Sequence, residues 1–369
     1  MDSSSLKSKL TLKLFLQIFG GVAIILTIFP FVAVDHWSVR VFDFPHLQLT
    51  LLTMFALLTY FIKFNIHKVS DYLFVTTLLA CFIFQGIKIF PYTAFSQFEM
   101  NDSSAKADQE FSIYIANVLQ SNDNVQGVIQ DAERFQADLA LFTETNAEWI
   151  RHLKTAFDGK YKYQMKKAEE NTYGMILFSK FPLEDGHVRF LVEDSIPSIH
   201  TKLILPSGDK VQLYAIHPAP PTPQHNPSSA DRDAELMRIA QLTRDSDLPV
   251  IVMGDFNDVA WSETTELFQK MSGLLDLRKG RGLFNTYNAK NWLMRWPLDH
   301  IYSSAVFRVG DVQLGGKTGS DHFPFFTKLS FEPELAAEQR LPAPSQKEIE
   351  EAFEQIKNEK KEDTSKAKK

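Results

Sequence analysis

Three long apolar runs, separated by short polar segments, dominate the first 95 residues of the chain. Leu14–Val34 contains 21 residues without a charge, which at about 1.5 Å per residue is enough to cross roughly 30 Å of hydrocarbon. Residues 47–64 form a shorter run, in which Lys63 can extend toward the lipid headgroups, and residues 72–90 are interrupted only by Lys88. The pattern therefore predicts three transmembrane helices, at about 14–34, 47–64 and 72–90.

Basic residues predict how these runs cross the membrane. Lys7, Lys9 and Lys13 precede the first run, and Lys63 and Lys68 lie between the second and the third. By the positive-inside rule the N-terminus is expected in the cytoplasm and everything after residue 90 outside it. Two alternatives remain open: the first run could be a signal peptide, and a second run that failed to insert would leave the rest of the chain in the cytoplasm.

The pattern of apolar positions changes from residue 110 onward. Phe111–Ala116 alternates as a strand does, and apolar residues from Val125 to Phe135 recur at helical spacing. Further strands are predicted by short apolar runs that end at Ser179, His217, Gly254 and Ser303. Strands interleaved with helices predict one α/β domain with a central layered sheet over residues 110–331, after a linker at residues 96–109.

The remaining segment, residues 332–369, is rich in charged residues. Ser345 and Glu348 have the spacing of a helix capping box, and a narrow apolar stripe follows from Ile349 to Ile356. This pattern predicts one short amphipathic helix within a charged tail. The alternative is a fully solvated tail.

Composition limits the class of protein. A net charge of -6 and a pI of about 6.0 argue against a strongly basic nucleic-acid coat protein. A hydrophobic content of 44% excludes a disordered chain. Cys81 is the single cysteine and lies in an apolar run, which excludes both a disulfide framework and a cysteine-rich zinc site.

Several carboxylate, amide and imidazole side chains lie just beyond the ends of the apolar, strand-like runs. They are Asn117, Glu144, His217, Asp255, Asn257, Asp299, Asp321 and His322. Strand ends in a layered sheet can meet at one edge, where α/β folds place their sites. Oxygen ligands without thiols suit a hard ion such as Mg²⁺ or Mn²⁺, and histidine beside carboxylate suits proton transfer. Together they suit the attack of water on a phosphoryl group.

At these residues the chain resembles the endonuclease/exonuclease/phosphatase superfamily, whose fold is shared by DNase I, exonuclease III and inositol polyphosphate 5-phosphatases. The matching segments, in family order, are Ile115–Asn117, Leu141–Glu144, Tyr214–His217, Gly254–Asn257, Leu298–Ile301 and Gly319–His322. The resemblance implies a DNase I-like, four-layered α/β sandwich preceded by three transmembrane helices. The three apolar runs look like the membrane-anchored bacterial branch. That resemblance implies a multi-pass protein of the bacterial cytoplasmic (inner) membrane, and the positive-inside rule then places its catalytic domain on the periplasmic side.

The resemblance also implies a divalent metal site. Glu144 matches the glutamate that binds the metal in this family, and Asn117 matches a residue that supports the metal site. Asp321 is expected to lie against the metal. Mg²⁺ or Mn²⁺ is the implied ion, as the oxygen-rich set of side chains indicates on its own.

The remaining roles that the resemblance implies are catalytic. Asp255 and Asn257 match the pair that orients the water and contacts the phosphate, and His217 matches a histidine that contacts the phosphate. His322 matches the histidine that activates water or stabilises the transition state, with Asp299 orienting its ring. The roles of Asp255 and His322 as general base can exchange.

The substrate stays open among three hypotheses. The first is a metal-dependent phosphodiesterase or nuclease, the second a phosphatase or phospholipase-type hydrolase of phosphorylated lipids or sugars, and the third a non-catalytic binding module. Leu277–Leu298 carries five basic and four aromatic residues and no acidic one. It could bind single-stranded nucleic acid, lie on the bilayer or close the core. Arg232 could meet a substrate phosphate or lie on a solvated helix face.

Overall fold

The computed structural model describes residues 3–31, 36–104, 110–223 and 226–366. The N-terminal helices are α1 (Ser3–Ile28), α2 (Trp37–Arg40), α3 (His46–Tyr60) and α4 (Val69–Ile89). Three segments are long and apolar enough to cross a membrane, namely Leu12–Phe31, His46–Lys63 and Val69–Tyr92. The prediction of three long apolar helices is therefore confirmed, although residues 32–34 of the first predicted span lie outside the described residues.

Helices α1, α3 and α4 pack against one another through a few small or buried residues. Ala23, Ala56 and Leu78 form the centre of the bundle, and at Gly20 a Cβ atom would lie only 2.7 Å from the ring of Phe74. Most other apolar side chains face outward, as in Ile25, which is 63% exposed. An apolar exterior is what a lipid environment requires.

The two ends of this bundle differ. At one end Lys13 forms an ion pair with Asp71, which begins α4. At the other end, where α1 ends and α3 begins, the His46 side chain hydrogen bonds with Gln85. The rest of the chain continues from this second end, because α4 finishes there.

Two six-stranded mixed sheets follow. The strands are β1 (Glu110–Asn117), β2 (Leu139–Thr143), β3 (Tyr163–Lys167), β4 (Met175–Ser179), β5 (Leu183–Phe190), β6 (Pro197–Ile204), β7 (Lys210–Ile216), β8 (Val250–Asp255), β9 (Leu275–Asp276), β10 (Asp299–Ser303), β11 (Phe307–Leu314) and β12 (Phe325–Phe331). The first sheet has the order β11-β12-β1-β2-β4-β3 and the second the order β5-β6-β7-β8-β10-β9. In each, only the central pair (β1 with β2, and β7 with β8) is parallel.

The sheets form the middle two of four layers. Their inner faces share one core, which includes Ile113, Leu141, Leu213 and Met253. The outer faces are covered by helices α5 (Val125–Phe135) and α6 (Ala147–Ala156) on the first sheet, and α7 (Ala230–Arg244), α8 (Glu263–Ser272) and α9 (Gln346–Lys366) on the second. The predicted four-layered, DNase I-like α/β sandwich is confirmed.

The charged C-terminal tail contributes to the sandwich. Ala352 of α9 is fully buried, and Ile349 and Ile356 pack beside it against the core below α7 and α8. The narrow apolar stripe seen in the sequence is thus the face that packs. This segment is therefore not fully solvated.

The sandwich packs directly against the end of the helical bundle. Tyr92 Oη donates to the carbonyl of Ala260 at 2.8 Å, and Trp261 Nε1 donates to the carbonyl of Asp43 at 2.8 Å. These aromatic side chains form a buried cluster between the two parts of the chain. Met100, in the predicted linker, is fully buried in the core of the sandwich. The described part of the linker is therefore packed rather than a free tether.

Candidate active site

The parallel strand pair of each sheet ends at the same edge of the sandwich. Asn117 is the last residue of β1, and Glu144 follows β2 directly. His217 follows β7, and Asp255 is the last residue of β8. Neighbouring parallel strands end side by side. The polar residue at or directly after the end of each of these four strands therefore lies at this edge.

Asn117 connects the two sheets. Its Nδ2 atom lies 2.8 Å from Oε1 of Glu144 and 3.0 Å from Oδ2 of Asp255. The backbone amide of Gln120 donates to the other oxygen of Glu144 at 3.2 Å. Asn117 is only 3% exposed, and its two hydrogen bonds hold the carboxylates of Glu144 and Asp255 in position.

Gly254 allows β8 to approach β7 closely. Its φ is +145°, and a Cβ atom at this position would lie 1.9 Å from the carbonyl oxygen of Ile216. Only glycine satisfies both conditions. The glycine before Asp255 is therefore required to place this carboxylate beside His217.

His322 lies between two carboxylates. Its Nδ1 atom is 2.7 Å from Oδ2 of Asp299, and its Nε2 atom is 3.7 Å from Oδ2 of Asp255. His217 approaches the same oxygen of Asp255 from its own Nε2 atom, also at 3.7 Å. All four side chains are at least 95% buried.

Burial and charge change the pKa values of this group. Burial alone would lower the pKa of His322, but Asp299 and Asp255 outweigh it and raise the pKa to about 10. Burial is also the largest influence on Asp255; with the nearby Asp299 it raises the pKa of that carboxyl in spite of the two histidines. At neutral pH the imidazole of His322 is therefore charged.

Asn257 is held in place by its neighbours. Its backbone N–H donates to Oδ1 of Asp255 at 3.0 Å, and its side-chain amide donates to the carbonyl of Pro218 at 3.0 Å. Arg232 Nη1 donates to the carbonyl of Asn257 at 3.1 Å and pairs with Asp258 at 3.4 Å. Both hypotheses for Arg232 are wrong, because it is 2% exposed and bound within the core behind the site.

Asp321 and Glu144 are the partly exposed carboxylates of the site. Oδ1 of Asp321 is buried and has no hydrogen-bond partner within the described part of the chain, and the same is true of Oδ1 of Asp299. Asp255, Asp299 and His322 also place one donor atom each within 4.8 Å of one another. Carboxylate and amide oxygens without thiols, some of them unpaired, fit a hard divalent ion.

Two residues of the site had no individual role assigned from the sequence. Ser320 accepts a hydrogen bond from the backbone N–H of His322 at 3.0 Å and donates to the carbonyl of Asn117 at 2.8 Å. The ring of Tyr287 lies 5.1 Å from that of His322. The position of Ser320 within Gly319–His322 was a signal for the first, and the position of Tyr287 in Leu277–Leu298, which leads directly to Asp299, was a signal for the second.

The comparisons with known proteins agree with this geometry. Residues 103–322, more than half of the chain, match the sequence model of a family described as Endonuclease/Exonuclease/phosphatase family. None of the curated proteins matches this chain.

Solved structures share the fold. D. rerio TDP2 in complex with a single-strand DNA product has a TM-score of 0.52 at 15% identity, covering 60% of this chain and 100% of that one. D. rerio TDP2 humanized by 14 mutations has a TM-score of 0.51 at 14% identity, covering 60% and 99%. At this identity the similarity shows the fold alone.

Proposed function

The chain belongs to the endonuclease/exonuclease/phosphatase family, and we propose that it is a membrane-anchored, divalent-metal-dependent phosphoesterase that hydrolyses phosphodiester bonds with an activated water. The observation that carries this proposal is the cluster at the sheet edge. There a buried Asp255 lies between two histidines and is joined through Asn117 to Glu144.

Glu144 and Asp321 would hold the ion, with Mg²⁺ or Mn²⁺ preferred by their oxygen donors, and Asn117 would support the metal site through its hydrogen bond to Glu144. A bound divalent ion supplies charge neutralisation at the phosphoryl group. The hydrogen bonds from Asn117 and from the backbone of Gln120 orient the oxygens of Glu144 before the ion binds. The unpaired Oδ1 of Asp321 supports its assignment as a ligand.

Asp255 is the group we assign as general base. Its pKa is raised by burial and by Asp299, which makes it a better proton acceptor than an exposed carboxylate. His322, whose pKa is raised to about 10, is already protonated at neutral pH. The charged imidazole of His322 can therefore donate a hydrogen bond to the charged phosphoryl group. Asp299 accepts a hydrogen bond from its Nδ1–H and so orients the ring.

His217 and Asn257 are assigned to phosphate contact. Nδ1 of His217 is buried and lacks a hydrogen-bond partner among the described residues, whereas its ring packs 5.3 Å from Tyr173. Asn257 has a φ of +51° and is fixed by Asp255 and Pro218. Two immobilised polar side chains beside Asp255 would restrict the orientation in which a phosphodiester can bind.

The expected setting is the bacterial cytoplasmic (inner) membrane, with the catalytic domain on the periplasmic side. The sandwich adjoins the end of the bundle at which α1 finishes. Lys13, Lys63 and Lys68 lie toward the other end. The positive-inside rule supports placing those lysines in the cytoplasm.

A nuclease is the first specific candidate, because a solved structure with this fold contains a single-strand DNA product. A phosphatase or phospholipase-type hydrolase of phosphorylated lipids or sugars is the second candidate, because the site adjoins an apolar bundle. A non-catalytic binding module is disfavoured, since every residue of the expected set is present and the described structure gathers the strand-end groups at one edge.

The test is hydrolysis by the purified full-length protein with Mg²⁺. Single-stranded DNA, RNA, bis-p-nitrophenyl phosphate and p-nitrophenyl phosphate would be compared, with Asp255→Asn as the matched inactive variant. We expect turnover of the diester that depends on Asp255. Absence of hydrolysis with every substrate, or equal rates for the variant, would refute the proposal.

A further inference from the structure

Residues 287–296 form a loop, here called the Trp292 loop, that extends from the candidate site to the membrane helices. At its base, the backbone N–H of Tyr287 donates to the carbonyl of Trp296 at 2.9 Å, and the reverse hydrogen bond is also present. The ring of Tyr287 lies 5.1 Å from the ring of His322. The base of the loop is therefore part of the wall of the site.

The tip of the loop exposes apolar side chains. Trp292 is 82% exposed, Leu293 54% and Met294 38%. The side chain of Asn291 accepts hydrogen bonds from the backbone N–H groups of Leu293 and Met294 at 2.9 and 3.1 Å. These hydrogen bonds fix the backbone of the tip while its three apolar side chains stay outside the core. Such a contiguous apolar patch usually marks an interaction surface.

The tip is attached to a candidate membrane span. Gln48, in the first turn of α3, donates from Nε2 to the carbonyl of Leu293 at 2.8 Å. At the base, the Trp296 ring packs edge to face on Phe44, with centroids 5.6 Å apart. The tip is therefore attached at the turn where the candidate span His46–Lys63 begins.

Other exposed aromatic residues lie near the same end of the bundle. Phe31, after α1, is 58% exposed, and Phe90, after α4, is 53% exposed. Phe95, five residues further along the chain, is 89% exposed. Aromatic residues concentrate at the boundary between hydrocarbon and headgroups. The Trp292 tip thus continues the lipid-facing surface of the three spans.

The basic residues before the loop are not available to a nucleic acid. Arg278 is 1% exposed and is bound by Asp276, and Lys279 is paired with Glu99 at 2.7 Å. Arg281 is paired with Asp102 and stacks on the ring of Phe98. Sequence-independent nucleic-acid binding needs free cations along a groove. The pairing of these three interrupts the basic stripe that the sequence suggested and leaves Lys290 and Arg295, both within the Trp292 loop, as its other two members.

We propose that the tip of the Trp292 loop inserts into the bilayer interface and that the site hydrolyses the headgroup phosphodiester of a membrane lipid. Trp292 is five positions after Tyr287, a span of at most about 18 Å, so a lipid phosphate at the interface lies within reach of the site. Water adds to phosphorus, the bond to one ester oxygen breaks, and the products are an alcohol, a phosphomonoester and a proton. This inference rests on the proposed phosphoesterase function.

The experiment uses the full-length protein in vesicles of phosphatidylethanolamine and phosphatidylglycerol. Wild type is compared with Trp292→Ser/Leu293→Ser and with Phe353→Ser, a control that removes an exposed apolar side chain from α9. Hydrolysis is measured on the vesicle lipids, on bis-p-nitrophenyl phosphate and on single-stranded DNA. Separately, phosphatidylcholine brominated in its acyl chains tests whether Trp292 emission, isolated as the difference between wild type and Trp292→Phe, is quenched.

Three results support the inference together: lipid hydrolysis by wild type, its loss by about tenfold or more in the double variant, and quenching of Trp292. Hydrolysis of the soluble diester should be unchanged in the double variant, and Phe353→Ser should behave as wild type throughout. Hydrolysis of DNA but not lipid would overturn the substrate class, and absence of quenching would overturn the membrane contact. Failure on every substrate would instead refute the phosphoesterase function, and with it the lipid substrate.

Discussion

Asp255 and Asp299 stand directly opposite each other on the antiparallel ladder of β8 and β10, and the imidazole of His322 lies between their carboxylates. The hydrogen bond to Asp299 is short, at 2.7 Å, whereas the distance to Asp255 is 3.7 Å. The geometry supports the proposal that Asp299 orients the ring and that Asp255 is the general base. The sequence alone left the roles of Asp255 and His322 exchangeable.

Asp299→Asn and His322→Ala should reduce kcat by similar factors, of about a hundredfold or more, as loss of an acid–base group commonly does. The reason is that the amide cannot stabilise the charged imidazole, so both variants lose the same positive group. Rates on bis-p-nitrophenyl phosphate would be measured beside circular dichroism, which checks that the fold is kept. A folded Asp299→Asn variant with near-normal kcat would show that Asp299 does not act through His322.

Removal of divalent ions should abolish hydrolysis, and Mg²⁺ or Mn²⁺ should restore it. Glu144→Gln and Asp321→Asn should each need a higher ion concentration for half-maximal activity, because each removes a charged ligand. Glu148→Gln, at an exposed position on α6, serves as the matched control and should titrate like wild type. Full activity after rigorous chelation would exclude the metal site.

The layered fold and the candidate site residues could be anticipated because both depend on local patterns. Asn117, Glu144 and Asp255 each mark the point where a buried strand ends, and parallel pairing then brings these ends together. Arg232 could not be placed in this way. Whether a helical arginine is solvated or buried depends on Asp258 and the carbonyl of Asn257, which approach from another element.

The segment Leu277–Leu298 also shows what sequence composition cannot predict. Its basic and aromatic composition fitted nucleic acid, bilayer and core equally well, because composition does not say which residue meets which partner. In the structure, Arg278 and Lys279 form ion pairs with Asp276 and Glu99, whereas Trp292 is exposed. One segment thus divides into a core part and a surface part at a boundary that only long-range contacts define.

Glu235→Gln should change how stability depends on pH. Glu235 on α7 is 2% exposed, and its Oε1 has no hydrogen-bond partner among the residues that the structure describes. Burial, with the nearby Glu193, raises its pKa to about 8. A pKa that is higher in the folded state contributes stability below the unfolded value of about 4.5, and this contribution is lost as the pH rises through 8.

The midpoint of thermal unfolding should therefore fall more steeply between pH 5 and pH 8 for wild type than for Glu235→Gln, by about several degrees. The two proteins should be nearly equal at pH 4, where the carboxyl of Glu235 is protonated in both the folded and the unfolded state. Glu354→Gln, at an exposed position of α9, should follow the wild-type curve. Parallel curves for wild type and Glu235→Gln would show that this carboxyl keeps an ordinary pKa.

The two ends of the helical bundle give a direct test of topology. Ser207 lies on an exposed turn of the sandwich, and His67 lies in the exposed loop between α3 and α4 at the opposite end. Three spans place these residues on opposite sides of the membrane, with Ser207 outside. In intact cells, Ser207→Cys should react with a thiol reagent that cannot cross the inner membrane, and His67→Cys should react only after lysis.

The native Cys81 is buried, and the wild-type protein serves as the control for any labelling of this residue. The reverse pattern, with His67→Cys labelled in intact cells and Ser207→Cys labelled only after lysis, is expected if the second apolar segment does not cross the membrane. It would put the catalytic domain in the cytoplasm and favour an intracellular substrate.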